Sequence, residues 1–257
     1  MYYYYHHNIE NNSYTYNGAL SISDNTIDAT NRLSFGMYIQ EYASNFDFNI
    51  YSADVTINHN IDRNQITMRD DNSSNTDYGI YSSIRWYNYD GDLAYDEVTS
   101  ISDNTYDVAT GSARNYGIYC RRYANSRNWG AGDNMATRDL DVNNNNIYFR
   151  FGSTGQLNYY GIYVRIQDYS YHQDYVGNMD ISICNNYLNS SNRITNYGIY
   201  AYYYVSGLQD SDLYYYAVDM NERVEGNSLV VMHSGDGGFS GIYVYNGVVP
   251  NDGAGWY

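Results

Sequence analysis

Ile101-Ser102-Asp103-Asn104-Thr105-Tyr106, followed by Tyr116-Gly117-Ile118-Tyr119, is one copy of a motif pair that recurs through the chain. The second motif, Gly-(Ile/Met)-Tyr, occurs six times: Gly36-Met37-Tyr38, Gly79-Ile80-Tyr81, Gly117-Ile118-Tyr119, Gly161-Ile162-Tyr163, Gly198-Ile199-Tyr200 and Gly241-Ile242-Tyr243. Ahead of each copy stands an apolar residue, two spacers, Asn, one spacer and another apolar residue. The Asn positions are Asn25, Asn64, Asn104, Asn145, Asn186 and Asn227, stepping by 39, 40, 41, 41 and 41 residues. Two linked motifs in fixed order, at a fixed period, are the signature of a solenoid. The spacing predicts six coils of about forty residues. The distance from Asn to Gly varies between 11 and 16 residues, which predicts constant strands joined by variable, inserted loops.

Around Gly-Ile-Tyr the pattern has period two, as a strand requires. The expectation is that one face points inward and carries Phe35, Tyr78, Tyr116, Tyr160 and Tyr197, then the Ile or Met, then Ile39, Ser82, Cys120, Val164, Ala201 and Val244. The Gly and the repeated Tyr would then face outward. In the Asn motif the two apolar residues lie five apart, so a bend must separate them, and Asn tolerates the left-handed conformation that a bend uses. Stacked Asn side chains also hydrogen-bond from coil to coil. Segments before the Asn motif, such as Phe48-Asn49-Ile50-Tyr51 and Leu93-Ala94-Tyr95, read as a third, less regular strand. Helices are not supported, because β-branched and aromatic residues dominate the regular parts.

Ile-Ser-Asp-Asn-Thr-Ile (22–27), Ile-Ser-Asp-Asn-Thr-Tyr (101–106) and the Tyr-Gly-Ile-Tyr copies resemble the right-handed parallel β-helix repeats of the pectin-lyase-like superfamily. The resemblance covers residues from about 13 to 246. It implies an all-β, right-handed parallel β-helix (solenoid), with a Tyr/His-rich lead at 1–12 and a tail at 247–257. That superfamily spans polysaccharide lyases, glycoside hydrolases, adhesins, tailspikes and surface proteins. No local motif matches its lyase or hydrolase sites, so the resemblance supplies no catalytic residue.

Composition narrows the function. The chain has 257 residues with 37 Tyr, 34 Asn, 24 Asp, 13 Arg and no Lys, and its formal net charge is −16. So much aromatic surface separates it from disordered chains. The missing clusters of basic residues argue against nucleic-acid binding. No apolar run has the length of a membrane-spanning helix. No signal peptide is visible, so the expectation is a non-classical export route or a mature or internal piece of a longer protein, located outside the cell or at its surface. Cys120 and Cys184 lack the short spacing of a metal or redox pair and read as buried small hydrophobes.

The repeated Tyr38, Tyr81, Tyr119, Tyr163, Tyr200 and Tyr243 would stack as an outward stripe, at a rung spacing of about 4.8 Å. Three readings of this stripe compete: stabilising ladder, covered interface, or glycan platform. Arg121 and Arg165 share one offset from the repeated Gly and would stack beside it, contacting a sugar or an acidic loop. Acidic candidates for weakly bound Ca²⁺ or a carboxylate pair are Asp70-Asp71, Asp90 with Asp92, Asp139 with Asp141, and Asp210 with Asp212, the bland reading being solvated loop acids. His6 and His7 form a poor metal site without a third ligand. An ice- or mineral-binding face would need a regular ladder, and only Thr26 and Thr105 align. No other cofactor is expected. The leading expectation is therefore a non-enzymatic structural module of an extracellular filament, surface layer or adhesin. It would self-associate, or stack within a longer repeat chain, through Tyr-rich faces and open ends. The rival is a carbohydrate-binding or polysaccharide-degrading β-helix.

Overall fold

A computed structural model describes residues 1–9, 14–30, 34–45, 52–70, 76–88, 92–110, 114–127, 133–150, 158–171, 174–190, 197–208, 216–231 and 240–251. These form strands, numbered in chain order, in three all-parallel sheets. The tyrosine sheet holds β1 (Tyr2–Ile9), β4 (Phe35–Asn45), β7 (Thr76–Asn88), β10 (Arg114–Arg127), β13 (Asn158–Tyr171), β16 (Tyr197–Leu208) and β19 (Ser240–Asn251). The aspartate sheet holds β2 (Tyr14–Ser23), β5 (Ser52–Asp62), β8 (Asp92–Ser102), β11 (Asp133–Asn143), β14 (Asp174–Cys184) and β17 (Tyr216–Glu225). The short sheet holds β3 (Thr26–Thr30), β6 (Gln65–Asp70), β9 (Thr105–Thr110), β12 (Asn146–Phe149), β15 (Tyr187–Ser190) and β18 (Ser228–Val231). Each strand pairs with the equivalent strand of the next circuit, so the chain is an all-β parallel β-helix. Residues 1–12, read as a lead, contribute β1, whose Tyr2 is in register with Tyr38. Leu93-Ala94-Tyr95 lies in β8, while Phe48–Tyr51 falls outside the described residues.

The bend between the aspartate and short sheets takes a single left-handed residue: Asp24, Arg63, Asp103, Asn144, Asn185 or Gly226, with φ between 52° and 64°. The sequence reading placed this conformation on the repeated Asn; it belongs to the residue before it. The reversal at one residue turns the next side chain inward, so Ile22, Asn25 and Ile27 all point to the interior. Each Asn then runs a ladder: Asn64 Nδ2 donates to Asn104 Oδ1 at 3.0 Å and to the Ile22 carbonyl at 2.8 Å, while its backbone N–H donates to Asn104 Oδ1 at 3.0 Å. The same bonds recur from Asn104 to Asn145, Asn145 to Asn186 and Asn186 to Asn227. The ladder thus satisfies polar groups that the bend would leave unpaired in the core.

The tyrosine sheet departs from the expected facing. A Cβ on Gly79 would meet the Tyr106 ring at 2.5 Å, and one on Gly161 would meet Leu188 Cδ2 at 1.6 Å. The glycines therefore face inward, against the short sheet. The strand register pairs Tyr78 with Tyr116 and Ile80 with Ile118 and skips the glycine between. Period two breaks there, which places Gly and Ile side by side inside. The preceding aromatic, Phe35, Tyr78, Tyr116, Tyr160 or Tyr197, consequently stands outside rather than in the core. Met37, Ile80, Ile118, Ile162 and Ile199 are buried, as is the Ile39, Ser82, Cys120, Val164, Ala201 column; in the last rung Ile242 and Val244 are exposed.

The core is mostly Ile, Val, Leu and Met, crossed by a charged network between the tyrosine and aspartate sheets. Arg122 donates to Glu97 through Nε, to Thr99 Oγ1 at 3.1 Å and to the Ser82 carbonyl at 3.1 Å. Tyr95 and Thr99 donate to the same carboxylate at 2.6 and 2.9 Å. Arg138 pairs with Asp168, and its guanidinium carbon lies 5.1 Å from the Tyr95 ring centre. Burial works against ionisation of Glu97, yet Arg122 and Arg138 hold its carboxyl below the usual range. Two guanidinium groups and two carboxylates balance, which is what permits four charges in a core. One step away, Glu41 faces His59 at 3.1 Å, both buried.

Candidate interaction face

The outer face of the tyrosine sheet carries the most regular side-chain order in the molecule. Tyr2, Tyr38, Tyr81, Tyr119, Tyr163, Tyr200 and Tyr243 form one column with ring centres 4.6–5.1 Å apart. Through Tyr200 the rings lie within 8° of parallel. Phe35, Tyr78, Tyr116, Tyr160 and Tyr197 form a second column with centres 4.9–5.8 Å apart. The two columns meet edge to face, as in Tyr78–Tyr81 at 83° and Tyr116–Tyr119 at 87°. Stacking along each column and edge contact between them are the two arrangements that the ring quadrupole favours. Twelve rings thus form a herringbone sheet on the outside of the backbone sheet.

This packing is dense enough to alter the phenols. Tyr38 is pushed up to about 12 by burial and by its neighbours Tyr81 and Tyr2. Tyr200 is likewise pushed up to about 12, by burial and then Tyr163 and Tyr243. Tyr116 and Tyr119 are raised further, with burial again the first cause. A third, zigzag column of His6, Tyr42, Tyr87, Tyr123, Tyr169 and Tyr204 runs alongside, with centres 4.8–5.8 Å apart.

Between the first and third columns lie Arg121 and Arg165, in direct register, while Arg85 stands in the third column, in register with Tyr42 and Tyr123. The Arg165 guanidinium carbon is 5.6 Å from the Tyr202 ring centre. None of the three has a carboxylate of the described residues within ion-pair distance, whereas Arg63, Arg122, Arg138, Arg150 and Arg223 do. The reason lies in the sequence of the sheet. Its seven strands contain three acids, Glu41, Asp77 and Asp168, and all three are buried. A chain of net charge −16 therefore shows, among the described residues, one face with arginines and tyrosines and no exposed carboxylate.

The acids gather on the aspartate sheet. Asp54, Asp96, Asp139, Asp180 and Asp219 are exposed there. Asp139 stands in register with Asp180, and its carboxyl is raised above the ordinary range by partial burial, then by Asp141 and Asp180. Of the proposed Ca²⁺ ligands, Asp92 is an exposed residue opening β8, and Asp90, Asp210 and Asp212 lie outside the described residues, as does Asp71. Among the described residues no group of three His, Cys, Asp or Glu side chains is arranged to hold a metal ion. His6 packs its ring edge on Tyr42 at 4.8 Å. Cys120 and Cys184 are buried free thiols in different sheets, and burial pushes Cys120 up to about 12. Among the described residues no helix is long and apolar enough to cross a membrane.

Sequence reasoning missed Tyr2, the outward second column and Arg85. Tyr2 has no Gly-Ile ahead of it, and Arg85 sits four residues past its ladder tyrosine whereas Arg121 and Arg165 sit two past theirs. No protein-family model, curated protein or solved structure matches the chain.

Proposed function

We propose that the chain is a non-enzymatic structural module whose copies, or further repeats of a longer chain, stack end to end on one solenoid axis. An extracellular filament, surface layer or adhesin is the setting this suits, and membership of the right-handed pectin-lyase-like superfamily is part of the same reading. The observation that carries it is the match between the two outermost rungs. Among the described residues the unpaired edges belong at one end to β1, β2 and β3, and at the other to β19, β17 and β18. A second copy placed one rung further on continues all three sheets in parallel.

The side chains agree with that step. Inside the helix each Asn offers its N–H and Nδ2 to the next Asn Oδ1. Asn227 closes one end with those donors, and Asn25 opens the other with an Oδ1 that no described residue engages. Tyr243 and Tyr2 end the aromatic column in the same way. Ile242 and Val244, equivalents of buried residues in earlier rungs, are 46% and 39% exposed. Bare parallel edges with apolar residues invite pairing, and a head-to-tail contact that does not close builds a fibre.

Electron microscopy of the purified protein across a concentration series tests this. Growth along the solenoid axis into fibres is expected, and Ile242→Lys with Val244→Lys is expected to abolish that lengthwise growth by placing charge on the terminal edge. Monodisperse monomers under every condition overturn the reading. A reproducible polysaccharide ligand or substrate in a glycan array and depolymerisation assay replaces it with the carbohydrate alternative.

A further inference from the structure

We infer that the tyrosine–arginine face is a lateral docking surface, and that its partner is the aspartate sheet of a second copy of this chain. The inference rests on the self-assembly reading above and specifies which sides of the solenoid meet.

Three observations carry it. The first is charge. Among the described residues the tyrosine sheet presents Arg85, Arg121 and Arg165 with no exposed acid, and these arginines lack carboxylate partners. The aspartate sheet presents Asp54, Asp96, Asp139, Asp180 and Asp219, and of its described basic residues only Arg223 is exposed. Asp139 stands in register with Asp180, and its carboxyl is raised first by partial burial and then by Asp141 and Asp180; an opposing guanidinium offsets that repulsion. The second is surface chemistry. Beside those acids stand Val98, Met135 and Val176, each more than 40% exposed. Val98 is in register with Asp139, and Met135 with Val176. Tyrosine and arginine on one side and an apolar–acidic patch on the other are what a desolvated contact uses.

The third observation is spacing. All sheets of one solenoid share a single rung step, about 4.8 Å. Arg121 and Arg165 are one rung apart, and so are Asp139 and Asp180. A second copy laid alongside therefore brings two arginines onto two aspartates at once, with tyrosine rings over Met135 and Val176. The contact joins different faces of identical chains, so each copy keeps one face of each kind for a further neighbour, and it grows sideways while end stacking grows lengthwise.

The test uses two charge-reversed proteins, Arg121→Glu/Arg165→Glu and Asp139→Arg/Asp180→Arg, with sedimentation velocity for association and electron microscopy for particle width. Wild type is expected to associate side by side, less so at high salt because the contact is ionic. Each variant alone is expected to associate laterally at least about tenfold more weakly, with unchanged circular dichroism. Mixing the two variants restores opposite charges across the contact and is expected to restore wide particles, a result that misfolding cannot produce. Absence of lateral association in wild type, wild-type association by either variant alone, or a mixture that stays apart overturns the proposal. Fibre length is read separately from width: wide, short particles support this contact while defeating end stacking, and long single-width fibres do the opposite.

Discussion

A single side chain type does the hardest task at the bend. Asn104 is 1% exposed and its side chain takes part in four ladder hydrogen bonds, two accepted from Asn64 and two donated, to Ile61 and Asn145. Asn104→Ala orphans the Asn64 amide and the Ile61 carbonyl in the core, so a loss of roughly 2–4 kcal/mol is expected, measured by denaturant unfolding. Asn227→Ala, at an end with one open side, is expected to cost clearly less, and equal losses at the two positions count against the ladder. The ladder was legible in the sequence because every rung makes the same demand, which fixes the residue type. The left-handed residue before it was not. Asp, Arg, Asn and Gly all occupy that column, since its requirement is a backbone angle that several residues reach at modest strain. Arg63 meets it while pairing with Asp24 on the previous rung at 2.7 Å.

At the scale of a strand, glycine decides which way a sheet looks. A Cβ on Gly161 would stand 2.6 Å from the Gly198 carbonyl and 1.6 Å from Leu188. No positive φ is involved there, so the constraint is close approach between sheets. Gly161→Ala is expected to destabilise by about 1–3 kcal/mol through overpacking, while Gly161→Ala with Leu188→Ala recovers part of the loss; a double variant no better than the single contradicts this geometry. Strand facing was half legible for the same reason. Counting by twos from the buried Ile column finds Ile39 and Cys120 correctly, but counting back across the glycine lands on the wrong side and sends Tyr78 inward. The core charges left no pattern to find, because Glu97, Arg122, Arg138 and Asp168 each occur in one rung, among apolar equivalents such as Ile57, Ile84, Met179 and Ala124. Their pairing exists across sheets. Glu97→Gln leaves two buried guanidinium groups facing one carboxylate, for which a loss of roughly 3–5 kcal/mol is expected. The native Glu97 carboxyl is depressed, so its contribution is complete above the ordinary carboxylate range and is lost as pH falls below that range and through the lowered folded-state value. The variant is expected to show a flatter acid limb in stability against pH.

For the whole molecule, the aromatic columns set an alkaline limit. Tyr38 and Tyr200 ionise near 12 in the folded state, against about 10 in an unfolded chain. The unfolded form therefore releases protons first. Stability is complete below about 10 and drains away as pH climbs toward and past the folded values. Tyrosinate absorbance is expected to rise in one cooperative step together with loss of β circular dichroism. Gradual ionisation at the ordinary value, with the fold intact, contradicts the packed herringbone. The three parallel sheets also give the molecule an uneven mechanical strength. Their backbone hydrogen bonds all point along the solenoid axis, as do the Asn ladder and the ring stacks. A pull transmitted from neighbour to neighbour along that axis loads three sheets and a side-chain ladder side by side, so the rung must yield as a unit. A pull along the covalent thread meets one outer strand at a time and peels it like a zip. The same protein is stiff as a brick in a column and soft as a strand of yarn.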